Sequence, residues 1–355
     1  MSEDNSLRGG GRKPAILVEG DNLAEATFNA IIACYDHGQR IETPKHRSGM
    51  SLGFDANMTV VVKDTEAEPT ICFAGMYDGA EGMMQYILEV THGIHNHWKK
   101  NEQHPEWWGY TYNERMVEQL PFVFQRIKHD WDKRQRISGR DYQFAIWRAG
   151  EDIILEQEDP PCWQLGQLRF AQDSQGNLVM NYETDWRSRD LFKAWNENNV
   201  AQLRLMKLLA GKVSDTIGQP IKMGSYIDHS SSLHLYGLYV DRDNLPKQIE
   251  RMKRVGYEGI SSSLEDFFIK LGGRDETGLK RLVAAQMDAE AKGNGFNQSE
   301  ATLQRLGYDL STHAYPAEWD SWPKSWDAQP DPSKLARVCS EEEILQEAAR
   351  IMARG

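Results

Sequence analysis

Apolar positions along this chain fall into two periods. Around 22–36, and again over 194–211, apolar residues return every three or four positions, which predicts helices; the second is long, rich in Leu and Met, and expected to be core. Residues 82–90 form another apolar helical stretch interrupted by Glu89, and 118–131 reads as a surface helix. Strand-like runs lie between them, at Val60-Val61-Val62, 142–147, 164–170, the alternating 177–182, and 231–240. Strands and helices are interspersed without the regular alternation of a βαβ series. The expected class is therefore α+β, a large mixed sheet flanked by helices. No segment repeats internally.

Gly9-Gly10-Gly11 mark residues 1–14 as a flexible leader, because glycine loses the most freedom on ordering. Residues 15–310 carry the periodic elements and read as one domain. Beyond 311, Trp319, Trp322 and Trp326 interleave with Pro316, Pro323, Pro330 and Pro332, which predicts an irregular appendage (311–355) wrapped on the surface of that domain. Ser340 with Glu343 forms a capping box for a last helix over 341–353.

With 355 residues, 40% hydrophobic and 26% charged, the chain can bury a full core. Its net charge of -12 argues against a nucleic-acid-coating protein but leaves room for a local basic pocket. No run approaches the roughly 20 apolar residues of a membrane span, and the N-terminal stretch has no apolar core of signal type. Cys34, Cys72, Cys162 and Cys339 are scattered without the paired spacing of a zinc site, which fits free thiols in a reducing cytoplasm. His92, His95 and His97 lack a matching Cys or carboxylate pattern, so we expect a solvated or half-buried cluster and no metal.

Cys162 stands apart from the other thiols, which read as small buried hydrophobes. Pro160-Pro161 hold it on stiff backbone beside a strand-like run, as covalent attack on an electrophilic carbon requires. Trp186-Arg187-Ser188-Arg189-Asp190-Leu191-Phe192 follows, then Asn198, then His234-Leu235-Tyr236. Cysteine, Arg-Ser, amide and His-x-Tyr in that order resemble the thymidylate synthase superfamily, which includes the pyrimidine nucleotide hydroxymethylases. The resemblance spans about residues 45–245 and leaves the chain after 250 outside it.

The resemblance implies a thymidylate synthase-like domain over 15–310 that acts on a deoxyribonucleoside monophosphate, with 5,10-methylenetetrahydrofolate as co-substrate. Cys162 would attack C6 of the pyrimidine, and a neighbouring arginine, Arg187, would lower its pKa. Arg47 in Arg47-Ser48-Gly49, Arg187 with Ser188, and Arg140 from the partner subunit would grip the phosphate. Asp141 stands where that last motif would carry a second arginine, and Arg136 is an alternative source. Gln167, in the segment after the cysteine, would also contact substrate. Asn198 would read the base; an amide donates to O4 and accepts from N3–H of uracil, although Asn196 and Asn199 lie close by. His234 and Tyr236, expected on one face of one strand, would contact the 3′-hydroxyl. Tyr110 would serve the C5 proton, with Arg115 at its matching place and Thr111 replacing the usual glycine. Asp190 would meet the pterin, and Glu89, with Glu81 as alternative, would order water.

The chain departs from ordinary synthases. Trp163 follows the cysteine in place of a histidine, Lys193-Ala194-Trp195-Asn196-Glu197 precedes Asn198, and the end Arg350-Ile351-Met352-Ala353-Arg354-Gly355 is unlike the aliphatic tail that excludes water. These departures favour a deoxyuridylate hydroxymethylase of the kind bacterial viruses use for modified DNA, in an obligate homodimer within the (host) cytoplasm and without membrane or nucleic-acid partner. Thymidylate synthase, deoxycytidylate hydroxymethylase and a catalytically dead nucleotide- or RNA-binding dimer are the alternatives.

Overall fold

The computed structural model describes residues 12–42, 49–76, 78–100, 102–104, 107–154 and 159–335. Within them, ten strands and twelve α-helices alternate irregularly. The strands are β1 (Ala15–Gly20), β2 (Gln39–Ile41), β3 (Gly53–Val62), β4 (Ile71–Cys72), β5 (Gln143–Ala145), β6 (Trp163–Gln172), β7 (Leu178–Trp186), β8 (Arg189–Asp190), β9 (Ile221–Leu235) and β10 (Ser261–Ser262). The helices before β9 are α1 (Leu23–His37), α2 (Ala80–His92), α3 (Tyr112–Val117), α4 (Leu120–Arg134), α5 (Ala149–Asp152) and α6 (Trp195–Ile217). After β9 come α7 (Gly237–Asp241), α8 (Leu245–Val255), α9 (Leu264–Gly272), α10 (Glu276–Ala291), α11 (Glu300–Arg305) and α12 (Pro332–Leu335).

An eight-stranded mixed sheet runs in the order β1-β3-β9-β7-β6-β5, with β2 added to β3 and β8 to β9. Parallel pairs (β1 with β3, β7 with β9) and antiparallel pairs (β3 with β9, β6 with β7) share it. The expected α+β class with a large mixed sheet flanked by helices is what the chain forms. Period-two alternation sets its two faces. Phe54, Ala56, Met58, Val60 and Val62 of β3, with Met180, Tyr182, Thr184 and Trp186 of β7, are buried under helices. Asn181, Glu183 and Asp185 point to the opposite face and are only half-buried. α6 lies across the centre and packs against α2, α4 and β9. Its buried residues run almost all round it, which marks it as a core helix.

Asp228 on β9 is a wholly buried carboxylate. Its carboxylate accepts from Arg189 and from Thr184 Oγ1 (3.1 Å), Trp195 Nε1 (3.1 Å), Tyr226 Oη (3.0 Å) and Ser230 Oγ (3.4 Å). Arg189 also donates to Asn199 Oδ1 at 3.2 Å and stacks on Trp186, 3.9 Å from the ring centre. β7, β8, β9 and α6 are tied together at this point.

Several expected elements shift. The strand expected over 231–240 belongs to β9, which starts earlier and stops at Leu235; Tyr236 instead caps α7. The strand over 142–147 shortens to β5, and Tyr142 before it donates its hydroxyl to Asp130 on α4 (2.7 Å). The tryptophan segment runs with most of its residues exposed and is anchored by Trp319 and Trp326, which are buried in the main core, Trp326 meeting Phe124 of α4. Residues 1–11 of the leader and the expected helix at 341–353 lie outside the described residues. No helix among the described residues is long and apolar enough to cross a membrane.

Replacing Asp228 by Ala strands the Arg189 guanidinium without its counter-ion. The expected loss is about 3–5 kcal/mol, the range for breaking a buried pair, and Asp228→Asn should lose less. Chemical denaturation of both variants measures it; an Asp228→Ala midpoint equal to the parent's would contradict the role given to this carboxylate.

Candidate active site

Cys162 sits just before β6, and the stiffness of Pro160-Pro161 accounts for its position. Neither proline has an N–H to donate, but both carbonyls accept hydrogen bonds. Arg187 supplies the donors: Nε to the Pro161 carbonyl at 3.0 Å and a terminal nitrogen to that of Pro160 at 2.5 Å. Its backbone N–H also donates to the Cys162 carbonyl at 2.8 Å. A register shift between Trp163 and Leu165, within the ladder of β6 with β7, marks a bulge at this end of the strand.

Aromatic rings wall the cysteine. Trp163 and Trp186 stack at 5.7 Å, and Tyr112 meets both edge-on at 5.6 and 5.9 Å. The Tyr112 phenol faces the backbone N–H groups of Cys162 and Trp163. Tyr110 lies 5.8 Å from Tyr112, ring to ring, with the Arg115 guanidinium 4.8 Å from its ring centre. Arg115 is itself fixed by a two-pronged pair with the buried Asp152 (2.5 and 2.9 Å). Thr111, in the place expected for glycine, caps α3 by accepting from Glu114 N at 3.2 Å.

Burial raises the pKa of the Cys162 thiol; Arg187 and Arg189 pull it down, Asp159 pushes it further up, and the net direction is upward. Arg187 lowers the thiol's pKa as expected, but desolvation outweighs it. Burial likewise raises Tyr110 and Tyr112, and pushes Tyr236 up to about 12, with the charges of Asp190, Cys162 and Asp159 adding to it. Cys162 therefore lies within electrostatic range of Tyr110, Tyr112, Tyr236, Arg187 and Arg189. Ser188 follows Arg187, half-buried, in the same turn.

His234 and Tyr236 remain in contact, ring to ring at 4.6 Å, although the strand ends between them. His234 is buried and its Nε2 has no partner among the described residues. Burial lowers its pKa, so at pH 7 the ring is neutral and offers one donor and one acceptor. The three neighbouring asparagines separate clearly. Asn196 donates to Thr27 (2.9 Å) and accepts from Cys72 N (3.3 Å), and Asn199 accepts from Arg189 and from Tyr226 (2.8 Å). Asn198 is only half-buried and donates through Nδ2 to Tyr86 Oη at 2.9 Å.

Other expected residues take up different positions. Asp190 is occupied within the protein: one oxygen accepts from Phe192 N (3.0 Å) and Lys193 N (3.2 Å), the other from Tyr239 Oη. Gln167 points to the half-buried sheet face and donates to the carbonyls of Gly139 and Arg140, both at 3.2 Å, away from Cys162. Arg140 is exposed beside it. Gly139 has φ 85°, and a Cβ there would lie 2.1 Å from the Leu168 carbonyl, so the loop needs glycine to lie against β6. Arg47 and Ser48 fall outside the described residues.

Glu89 accepts from His95 Nδ1 (2.6 Å) and Gln85 Nε2 (2.8 Å). His95 is buried, stacks on Trp98 at 3.7 Å, meets Phe296 edge-on at 4.7 Å, and has an unpartnered Nε2 among the described residues. Glu81, the alternative carboxylate, is taken by Gln286 of α10. The histidines do not converge: His92 bonds the carbonyls of Glu318 (3.0 Å) and Ser321 (2.9 Å), His95 bonds Glu89, and His97 bonds Glu290 (3.3 Å). Sequence reasoning missed Tyr86, Tyr112, Arg189 and Asp228. Only Asp228 left a signal: Tyr226, Asp228 and Ser230 share the core-facing period of a strand.

No family model matches the chain, and no curated protein matches its sequence. Among solved structures, a thermostable thymidylate synthase A from Bacillus subtilis is similar to it, with 13% identity and a TM-score of 0.41 over 64% of this chain and 84% of that one.

Because burial dominates at Cys162, its alkylation by iodoacetamide should accelerate only above the ordinary thiol range of about 8.5. Arg187→Ala removes a stabilising charge and should move the midpoint further up; Asp159→Asn should move it down. Site-resolved mass spectrometry across pH reads all three, and a midpoint below the ordinary range would contradict the assignment of desolvation as the larger effect.

Proposed function

We propose that the protein transfers a one-carbon unit to C5 of a uracil nucleotide, converting deoxyuridine monophosphate to its 5-hydroxymethyl derivative. The observation that carries this reading is the gathering of Arg187, Tyr110, Tyr112 and Tyr236 around Cys162. Asn198 borders the same group through Tyr86, whose phenol is in electrostatic range of Tyr112.

In this reading the Cys162 sulfur bonds to C6, and the displaced electron pair moves through C5 to O4. Asn198 meets that edge with an N–H for O4 and its oxygen for N3–H, the O4 contact strengthening as charge develops there. The neutral His234 and the Tyr236 hydroxyl receive the sugar hydroxyl. Arg187 keeps donors beyond those given to the proline carbonyls, and these face the phosphate. Tyr110, held protonated by burial, passes the C5 proton through water and does not act as a phenolate.

The one-carbon donor implied by the resemblance is a flat, hydrogen-bonding heterocycle. Methylenetetrahydrofolate, when bound, would supply a methylene carbon to C5; loss of the C5 proton and departure of tetrahydrofolate would leave that carbon open to addition of water, which would give the hydroxymethyl group. Return of the electron pair then expels the Cys162 sulfur from C6 and restores the ring double bond. The half-buried sheet face, with Arg140 at its edge, is the surface through which two copies would pair.

Incubation with 5-fluorodeoxyuridylate and methylenetetrahydrofolate should trap an adduct on Cys162 that Cys162→Ser abolishes. With deoxyuridylate, the product mass should rise by CH2O; a rise of CH2 with appearance of dihydrofolate would mean methylation. Turnover of deoxycytidylate alone would defeat the uracil assignment, and absence of any adduct would favour a catalytically inert nucleotide-binding protein.

A further inference from the structure

We infer that Tyr86 is a specificity-determining residue, because its hydroxyl fixes which way the Asn198 amide faces and so which pyrimidine edge Asn198 accepts. This rests on the reading of Asn198 as the base reader. Tyr86 lies on α2, one turn before Glu89, and its Oη takes an N–H of Asn198 at 2.9 Å. Asn198 is in the first turn of α6, where its backbone N–H donates to the Ala194 carbonyl at 2.8 Å. With one amide N–H given to Tyr86, the amide keeps its other N–H and its oxygen side by side. Donor and acceptor in that order match O4 and N3–H of uracil.

Cytosine presents the reverse, an amino donor at position 4 and a bare N3 acceptor. To bind it, the Asn198 amide must turn over and place its oxygen against Tyr86. Tyr86 could meet that oxygen only by swinging its own hydrogen toward Asn198. In the structure the phenol oxygen accepts from Asn198, with Glu89, Glu197, Arg189 and Tyr112 within electrostatic range of it. The lone pair is left for Asn198, and the uracil-reading orientation is held. Asn196 and Asn199 cannot substitute, because both are wholly buried, Asn196 bonding Thr27 and Cys72 and the Asn199 oxygen held by Arg189 and Tyr226.

The test is calorimetric binding of deoxyuridylate and deoxycytidylate to the full chain, to Tyr86→Phe, to Asn198→Asp and to the double variant. The parent should prefer deoxyuridylate. Tyr86→Phe keeps the ring but loses the lone pair, and should shrink that preference by about three- to tenfold, the span of one neutral hydrogen bond. Asn198→Asp has two equivalent oxygens and no orientation to fix, so it should abolish the uracil preference, and adding Tyr86→Phe should change nothing more. An unchanged preference in Tyr86→Phe, or the same loss in both backgrounds, would overturn the inference as a packing effect. Should Tyr86→Phe fail to fold, Asn198→Asp decides alone, and retention of the uracil preference there would overturn it. Discrimination in binding without a CH2O product would sink the hydroxymethylation reading and leave Tyr86 its role; no binding of either nucleotide would sink both.

Discussion

The buried ion pair of Arg189 with Asp228 ties together the elements that carry the site. Burying two charges costs several kcal/mol per ion unless each is surrounded by partners, and here the surroundings are nearly complete. Asp228 accepts from four neutral donors besides the guanidinium, and Arg189 adds Asn199 and the face of Trp186. The pair fixes the end of β7, the start of α6 and the middle of β9 to one another. Arg187 lies two residues from Arg189, and Asn198 is next to Asn199 on α6. The residue that staples the Cys162 segment and the one that faces Tyr86 are thus positioned by the same polar core.

At Cys162 two opposing effects meet, and their balance is informative. Nearby guanidiniums favour the thiolate, while loss of water favours the thiol, and the second is larger. A thiol kept protonated at rest is chemically quiet, which is compatible with the nucleophilic role proposed for it. Tyr110, Tyr112 and Tyr236 are raised for the same reason. The cluster is thus a set of neutral hydrogen-bonding groups at neutral pH, with Arg187 as its positive member.

The residues after β9 brace the helix that carries Tyr86 and Glu89. α10 packs on α2, Gln286 holds Glu81, and Phe296 closes on His95. Glu290 takes both His97 and the Trp98 indole. The later tryptophan segment adds the His92 contacts, and Lys280 reaches Asp320 at 3.0 Å. This extension therefore acts on the candidate site chiefly through α2, the helix it packs against.

The sequence by itself determined what depends on local periodicity and local stiffness. The long apolar stripe of α6, the alternation in β7, the α+β class and the rigid Pro-Pro-Cys segment were all legible, because each is fixed by neighbours within a turn or a strand. Distances between segments were not legible. Nothing local distinguishes Asn198 from Asn196 or Asn199; burial and partners from other elements do. Tyr86 reads as another apolar position on α2 until Asn198 meets it from α6, and Glu89 stands out as a lone carboxylate until His95 takes it up. Whether Arg187 or desolvation governs Cys162 is likewise a tertiary matter, since the water removed from that sulfur is displaced by rings far from it in the chain.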